Sequence, residues 1–330
     1  MRHSNIAGVF LVLAGLLGGG SWYLYKALEE TTPLTILITD WPGEQVFAFV
    51  DFLGVGPKFG LDLDIRRIAS VDDTSNAYLR GNTDIITLSL DYAIGLGRSD
   101  TRIIYAYDHS VGADGIVGNG EFRSMADLRG RKIGVEFGFP NHFLVLKALE
   151  RAGMTAEDVV LVDVQSDKAL DAMRSGEIAA MGTWHPILND ILQQVPGAHL
   201  LVSTRDFPEL IYDVVIVKEQ ALRNNRQQYV QLIRAIDLAL TECRADWQGC
   251  MERLSQETGA EAGAWEANFD GVVLLDLEAN RRLFVAEGRS EMQNRLADVY
   301  DFLKRINPEL ETPQFDAWID GSLIVEASLP

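Results

Sequence analysis

The sequence predicts an α/β protein of two lobes, each built on a parallel-rich sheet, joined by two chain crossings and followed by a helical C-terminal part. Three observations carry this expectation. From Leu34 onward, short apolar runs bounded by turn residues alternate with helix-period segments, the rhythm of strand–helix–strand units. Two stretches interrupt the rhythm: a glycine-rich one from Gly112 to Gly120, and YDVVIV from Tyr212 to Val217. After Glu219 the pattern is wholly helical. The expected organisation is residues 1–30 as a signal or anchor, 34–116 with 213–330 as a discontinuous first lobe, and 117–212 as the second.

Arg2 and His3 precede an uncharged run of twenty residues, Ile6 to Tyr25, about the ~20 needed to span a bilayer. Trp22, Tyr23 and Tyr25 close it, where amphipathic rings favour the interface. Leu13-Ala14-Gly15 resembles the start of a lipoprotein cleavage box, but Leu16 stands where the acylated Cys belongs, and no Ala-x-Ala site follows. The run reads as an export signal, an uncleaved anchor to the inner membrane rather than a cleaved peptide, with the body of the protein outside.

Leu34 to Thr39 reads as a buried strand, ending in the loop Asp40-Trp41-Pro42-Gly43 and a helix from Glu44 to Leu53. Strands follow at Leu61–Ile68, Asp84–Leu88 and Arg102–Tyr107. Between them lie a helix capped by Asp72 or Asp73 and closed by Gly81, and one capped by Ser89. After the first crossing come a capped short helix (Ser124–Leu128), a strand (Lys132–Glu136), the turn Gly138-Phe139-Pro140 and a helix from Asn141 to Arg151. Strands at Val159–Val164, Ile178–Met181 and Leu200–Ser203 complete the second lobe. From Asn225 to Trp247, apolar residues at Val230, Leu232, Ile233, Ile236 and Leu240 mark a helical core face.

A net charge of −19 argues against nucleic acid and against a basic membrane-docking patch. Cys243 and Cys250 are the two cysteines, and an oxidising compartment favours a bridge. Seven residues apart on one continuous helix they would lie roughly 10 Å from each other, too far for a disulfide. Gly249 is expected to end the helix and let them meet.

No GxSxG, HExxH, P-loop or strand-linked GxGxxG occurs, so no enzyme is expected, nor any cofactor. His109, His142 and His185 lie near strand ends, but their spacings fit no metal template. Ligands of parallel sheets sit outside the carboxyl ends of strands, which here are Asp40-Trp41, Thr87-Ser89, His109-Ser110, Phe137-Gly138 and Thr183-Trp184-His185. The helix start at Asn141, with Gly138 allowing close backbone approach and Phe139 beside it, offers free N–H groups to an anion; Ser89 opens a second such start. Trp41 and Trp184 are placed to sandwich a flat ligand face. Asp114 and Asp213 lie in the crossings, where either pairs an amine, and Asp213 entering VVIV needs a partner.

Ser110-x-x-Ala113-Asp114-Gly115-Ile116-Val117 resembles the "SADGIVA" segment of the nitrate/sulfonate/taurine and thiamine-precursor periplasmic binding proteins. Met125 to Val135, Gly138-x-x-x-His142, Leu170-x-x-Met173-x-x-Gly176-Glu177-Ile178-Ala179-Ala180 and Trp184-x-Pro186 resemble that family too, over about Leu34 to Val217. The resemblance implies a type II two-lobed solute-binding fold that serves an ABC permease and its ATPase. It implies ligand contacts from Asp40-Trp41, Thr87-Ser89, Asp114, Gly138–His142, Trp184 and Asp213. The family's usual Trp-Glu-Pro is here Trp184-His185-Pro186, which changes the local charge and makes His185 a candidate for ligand choice.

The expectation is therefore a monomeric periplasmic protein that closes its lobes around a small organic anion or zwitterion, either sulfonate-like or an amine-bearing heterocycle. One rival is a membrane-tethered sensor reporting to a signalling partner, separable by whether a permease–ATPase pair or a kinase or cyclase is encoded beside it. Another is a thiamine-precursor enzyme on the same fold, separable by turnover.

Overall fold

The computed structural model describes residues 33–329 apart from 69, 262, 288, 289 and 311–314. The expected export segment therefore lies outside the described residues. Among those described, no helix is long and apolar enough to cross a membrane.

The chain opens with β1 (Leu34–Ile38), a single 3-10 turn and α1 (Gln45–Phe52), then β2 (Leu63–Arg67), α2 (Val71–Arg80), β3 (Ile85–Ser89), α3 (Leu90–Gly95), β4 (Thr101–Ser110) and β5 (Asp114–Gly118). It continues through β6 (Lys132–Val135), α4 (Pro140–Arg151), β7 (Val160–Asp163), α5 (Ala169–Ser175), β8 (Ala180–Trp184), α6 (Ile187–Gln194), β9 (His199–Ser203) and β10 (Tyr212–Lys218). The C-terminal part comprises α7 (Glu219–Ala245), α8 (Trp247–Thr258), α9 (Ala264–Asn268), β11 (Val272–Leu274), α10 (Leu277–Phe284) and α11 (Glu291–Ile306). Two short helices follow, α12 (Phe315–Trp318) and α13 (Ser322–Ala327).

Two sheets organise the lobes, one in the order β11-β4-β10-β3 and the other β7-β6-β8-β5-β9; β1 and β2 form a separate pair. The chain leaves the first sheet at Ser110, enters the second at Asp114, and returns at Tyr212. The expectation of parallel-rich sheets is corrected. Among the described ladders, those of β6 with β7 and β8 are parallel, whereas those of β10, β5 and β11 are antiparallel. The alternating rhythm predicts parallel neighbours only for strands linked by helical crossovers. The crossing strands obey no such rule: β10 slots between β3 and β4, and β5 between β8 and β9, each running against its neighbours. β11 is a further strand within the part read as wholly helical.

Buried apolar side chains cover both faces of the second sheet. Ile133, Val135, Leu144, Val145 and Leu149 lie on one side, and Met173, Met181, Leu188 and Ile191 on the other. Ser70, rather than Asp72 or Asp73, caps α2, its hydroxyl accepting from Asp73 N at 3.2 Å. Cys243 and Cys250 are bridged, with Cα atoms 5.7 Å apart. The break that lets them meet is at Asp246, whose backbone (φ −138°, ψ 67°) separates α7 from α8; Gly249, the expected terminator, lies inside α8 and donates to the capping Asp246 carboxylate.

Away from the crossings, the lobes also touch across their outer edges. Phe302 of α11 packs edge-on against Phe143 of α4 at 4.7 Å, under the Lys147 ammonium at 4.9 Å. Arg295 of α11 pairs with Glu209, Arg205 with Asp270 at 2.9 Å, and Asn189 with Asn268 at 3.3 Å.

Candidate functional site

Strand register sets the site. Across the first sheet, Ser89, Asp213 and Asp108 lie side by side on β3, β10 and β4. In the second sheet, Asp114 at the start of β5 lies beside Trp184 at the end of β8. These two rows meet in the cleft, around a cavity of about 60 Å3 lined by Thr87, Ser89, Asp114 and Asp213 together with Trp41, Tyr92, Phe139 and Trp184. A second cavity of about 300 Å3 adjoins it and shares Trp41, Phe139 and Trp184, with Glu136 and Ser166 in its wall.

The floor is acidic. Asp108 is fully buried, and its Oδ2 accepts from Trp41 Nε1 at 2.8 Å. A Cβ at Gly43 would sit 1.4 Å from that oxygen, so only glycine lets the carboxyl approach the Trp41 loop. Burial pushes Asp108 up to about 7, and Asp213 well above the usual carboxylate range, the nearby Asp108 charge adding to the effect. The two carboxyls lie opposite each other across β4 and β10, and each charge disfavours ionisation of the other; Asp108 Oδ1 is buried without a hydrogen-bond partner. Asp114, 2% exposed, is likewise raised to about 7 by burial, against the lowering effect of the Ser110 hydroxyl. Its Oδ2 is buried without a hydrogen-bond partner.

Two more buried carboxyls are engaged. Glu44 accepts from Thr39 N at 2.5 Å, Thr39 Oγ1 at 2.6 Å and Thr87 Oγ1 at 2.5 Å, and burial still raises its pKa. Asp91 is raised to about 6 by burial, opposed by the Ser89 hydroxyl and the N–H groups of Asp91 and Tyr92.

The aromatic wall crosses the cleft. Tyr92 from the first lobe stacks on Phe139 from the second, centroids 4.6 Å apart, and Phe139 stacks on Trp184 at 6.1 Å. Trp41 and Trp184 both line the two cavities.

The expected anion sites are already filled. At the start of α4, Pro140 has no N–H to offer. His142 N donates to Asn141 Oδ1 at 2.9 Å, and Phe137 N to Asp163 Oδ1 at 3.1 Å. Asn141 is fully buried, its Nδ2 donating to Gly182 O at 2.6 Å, so it ties α4 to β8 and lines neither cavity. Gly138, at φ +87°, shapes the turn outside both cavities, and His142 packs against Phe137 at 5.2 Å. At the start of α3, the buried Asp91 carboxyl lies beside the Ser89 hydroxyl and the N–H groups of Asp91 and Tyr92, which lower its pKa against burial, so an acidic group stands where Ser89 was expected to receive an anion.

His185 is buried and lines neither cavity; its ring is held well below its ordinary pKa, at about 4, by burial. The residue at which the motif departs from the family thus does not touch the cleft, while its neighbours Trp184 and Pro186 do. Glu44, Tyr92 and Asp108 were not foreseen. The readable signal for Asp108 was a carboxylate inside an apolar strand, IIYAYD, the same argument that singled out Asp213.

The chain is 29% identical, over 216 residues, to a Brucella abortus protein whose name marks it as a candidate binding protein, covering 64% of this chain and 67% of the relative. Its fold matches that of the alkanesulfonate-binding protein SsuA from Xanthomonas axonopodis pv. citri, bound to MOPS, with a TM-score of 0.68 at 16% identity, covering 88% of this chain and 99% of that one. It also matches the desulfurization enzyme DszB with a TM-score of 0.64 at 17% identity, covering 89% and 98%. The sequence model described as NMT1/THI5 like matches residues 58–248, more than half of the chain, spanning both crossings and the acidic floor between them, and the chain belongs to that family.

Proposed function

We propose that this is an exported solute-binding protein that captures a small organic molecule between its lobes and presents it to an ABC permease and its ATPase. The observation that carries this is the Tyr92–Phe139–Trp184 stack, which runs from one lobe to the other across the cleft. A flat or apolar solute inserted beside Trp41 and Trp184 would join the lobes by its own burial. Family membership and the two-lobed fold support the same reading. Binding rather than turnover is supported by the cleft hydroxyls: Thr87 and Ser89 are engaged by Glu44 and Asp91. Residues 6–25 would act as the export signal or tether, and the protein would work as a monomer.

Native mass spectrometry of protein purified from its own host, paired with small-angle scattering before and after the bound molecule is removed, tests this. The expected result is one retained small molecule, whose removal opens the lobes and whose binding Trp184→Ala weakens at least about tenfold. A cleft that retains nothing, or chemical conversion of the retained molecule, would displace the proposal.

A further inference from the structure

The charge of the solute is legible in the cleft. Among the residues lining the inner cavity there is no Lys, Arg or His, while Glu44, Asp114 and Asp213 all line it. The Arg67 guanidinium, the cation that acts on Glu44, is held by Thr39 O at 3.0 Å, Asp40 Oδ1 at 2.9 Å and Gln45 Oε1 at 2.7 Å. The carboxyls differ in what they still lack. Glu44 has three protein donors and Asp91 has Ser89 and backbone N–H groups. Asp108 accepts from Trp41 and has one oxygen without a partner, but it does not line the cavity; Asp213 lines it and has no such oxygen. Asp114 alone of the five combines a place in the cavity wall, 2% exposure and a carboxylate oxygen that no group of the protein satisfies.

A buried, unsatisfied carboxylate oxygen is costly, and donors brought by a ligand remove that cost. The acidic residues around it would repel a sulfonate. At the helix starts that would have received one, the buried Asp91 carboxyl stands in the first turn of α3, and side chains of the protein already accept from N–H groups at α4. We infer that the solute is an organic cation, an ammonium or amidinium seated against Asp114, with a flat or apolar body lying along Trp41, Phe139 and Trp184. This rests on reading the cleft as a solute-capture site and names the chemistry that site selects. The rings contribute as well, since a cation over an aromatic face is stabilised by the ring quadrupole.

Three probes with the same ring and different charge test the inference on the full protein by calorimetry at pH 7.5: benzamidinium, neutral benzamide and benzenesulfonate. Benzamidinium is expected to bind at least about tenfold more tightly than benzamide, and benzenesulfonate not measurably. Asp114→Asn, an isosteric change, is expected to bring benzamidinium to within about threefold of benzamide, with its fold confirmed by circular dichroism. The probe series on the unaltered protein stands independently of that variant. Benzenesulfonate binding as tightly as benzamidinium, no preference for benzamidinium over benzamide, or an Asp114→Asn protein that holds benzamidinium unchanged would each overturn the inference. A sulfonate that binds and closes the lobes would overturn it while leaving solute capture intact; failure of every probe together with an empty native cleft would remove both.

Discussion

The floor of the cleft and its rim offer the same kinds of groups and differ in what those groups have left to give. At the rim, the starts of α3 and α4 carry backbone donors of the sort that bind anions, but the buried Asp91 carboxyl stands at the first, and Asn141 and Asp163 accept from N–H groups at the second. At the floor, Asp108, Asp114 and Asp213 come together on three crossing-linked strands, and Asp114 is left with an acceptor the protein does not fill. A helix start with its valence complete is scaffold; a buried carboxylate with its valence open is an interaction waiting for a partner. The difference shows that convergence of strand ends locates a site, while hydrogen-bond accounting identifies which of its members can act.

The comparison can be broken most severely at Gly43. A Cβ there overlaps the Asp108 carboxyl, so Gly43→Ala is expected to displace Asp108 and Trp41 together, abolish solute binding and lower stability by about 3 kcal/mol in denaturant unfolding. Asp114→Asn should do the opposite to stability. A carboxyl raised from 3.8 to about 7 gives the folded state more bound protons than the unfolded state between those values. Its contribution is full below about pH 4 and is lost as pH rises through about 7. The solute-free protein should therefore lose stability between pH 5 and pH 8. Asp114→Asn should flatten that decline and gain on the order of 3 kcal/mol at pH 8, read from unfolding curves across the range. A decline of the same size in both proteins would show that Asp114 is not its source.

Asn141→Ala sharpens the contrast from the rim side. It leaves Gly182 O without its buried donor and should cost about 2 kcal/mol of stability while changing affinity for the captured solute less than about twofold. His142→Ala is the smallest expected change, under about 1 kcal/mol and silent in binding, because the ring packs on Phe137 outside both cavities. A binding loss of tenfold in either rim variant would restore the helix start as a ligand contact.

Much of the framework was legible because burial writes itself into apolar runs. The strand at Tyr212, the turn at Gly138 and the disulfide all follow from local pattern and compartment. Strand direction in the crossings was not legible, because alternation describes helical connections and is mute about a strand returning from another lobe. At the site, Trp41 and Trp184 were found by asking which aromatic residues end a buried strand, and Asp114 and Asp213 by asking which carboxylates lie in the crossings. Asp108 escaped because its significance lies in register: it becomes half of a buried carboxyl pair only when β10 places Asp213 opposite it. His185 misled for the complementary reason. It differs from the family motif, but it is buried past the end of β8 and lines neither cavity.

The outer contacts between the lobes have a consequence for affinity. Phe143 on Phe302, Arg295 with Glu209, and Arg205 with Asp270 hold the lobes together without touching the cleft. The two ion pairs are partly or well exposed, and such pairs contribute at most about 1 kcal/mol each. That scale sets the fraction of empty protein already closed, and apparent affinity falls in proportion as that fraction shrinks. On the proposed reading, capture strength would be set in two places that can change independently. Asp114 and the aromatic wall would choose the molecule, while a handful of surface residues on α11 and beside Asp270 would determine how readily it is let go.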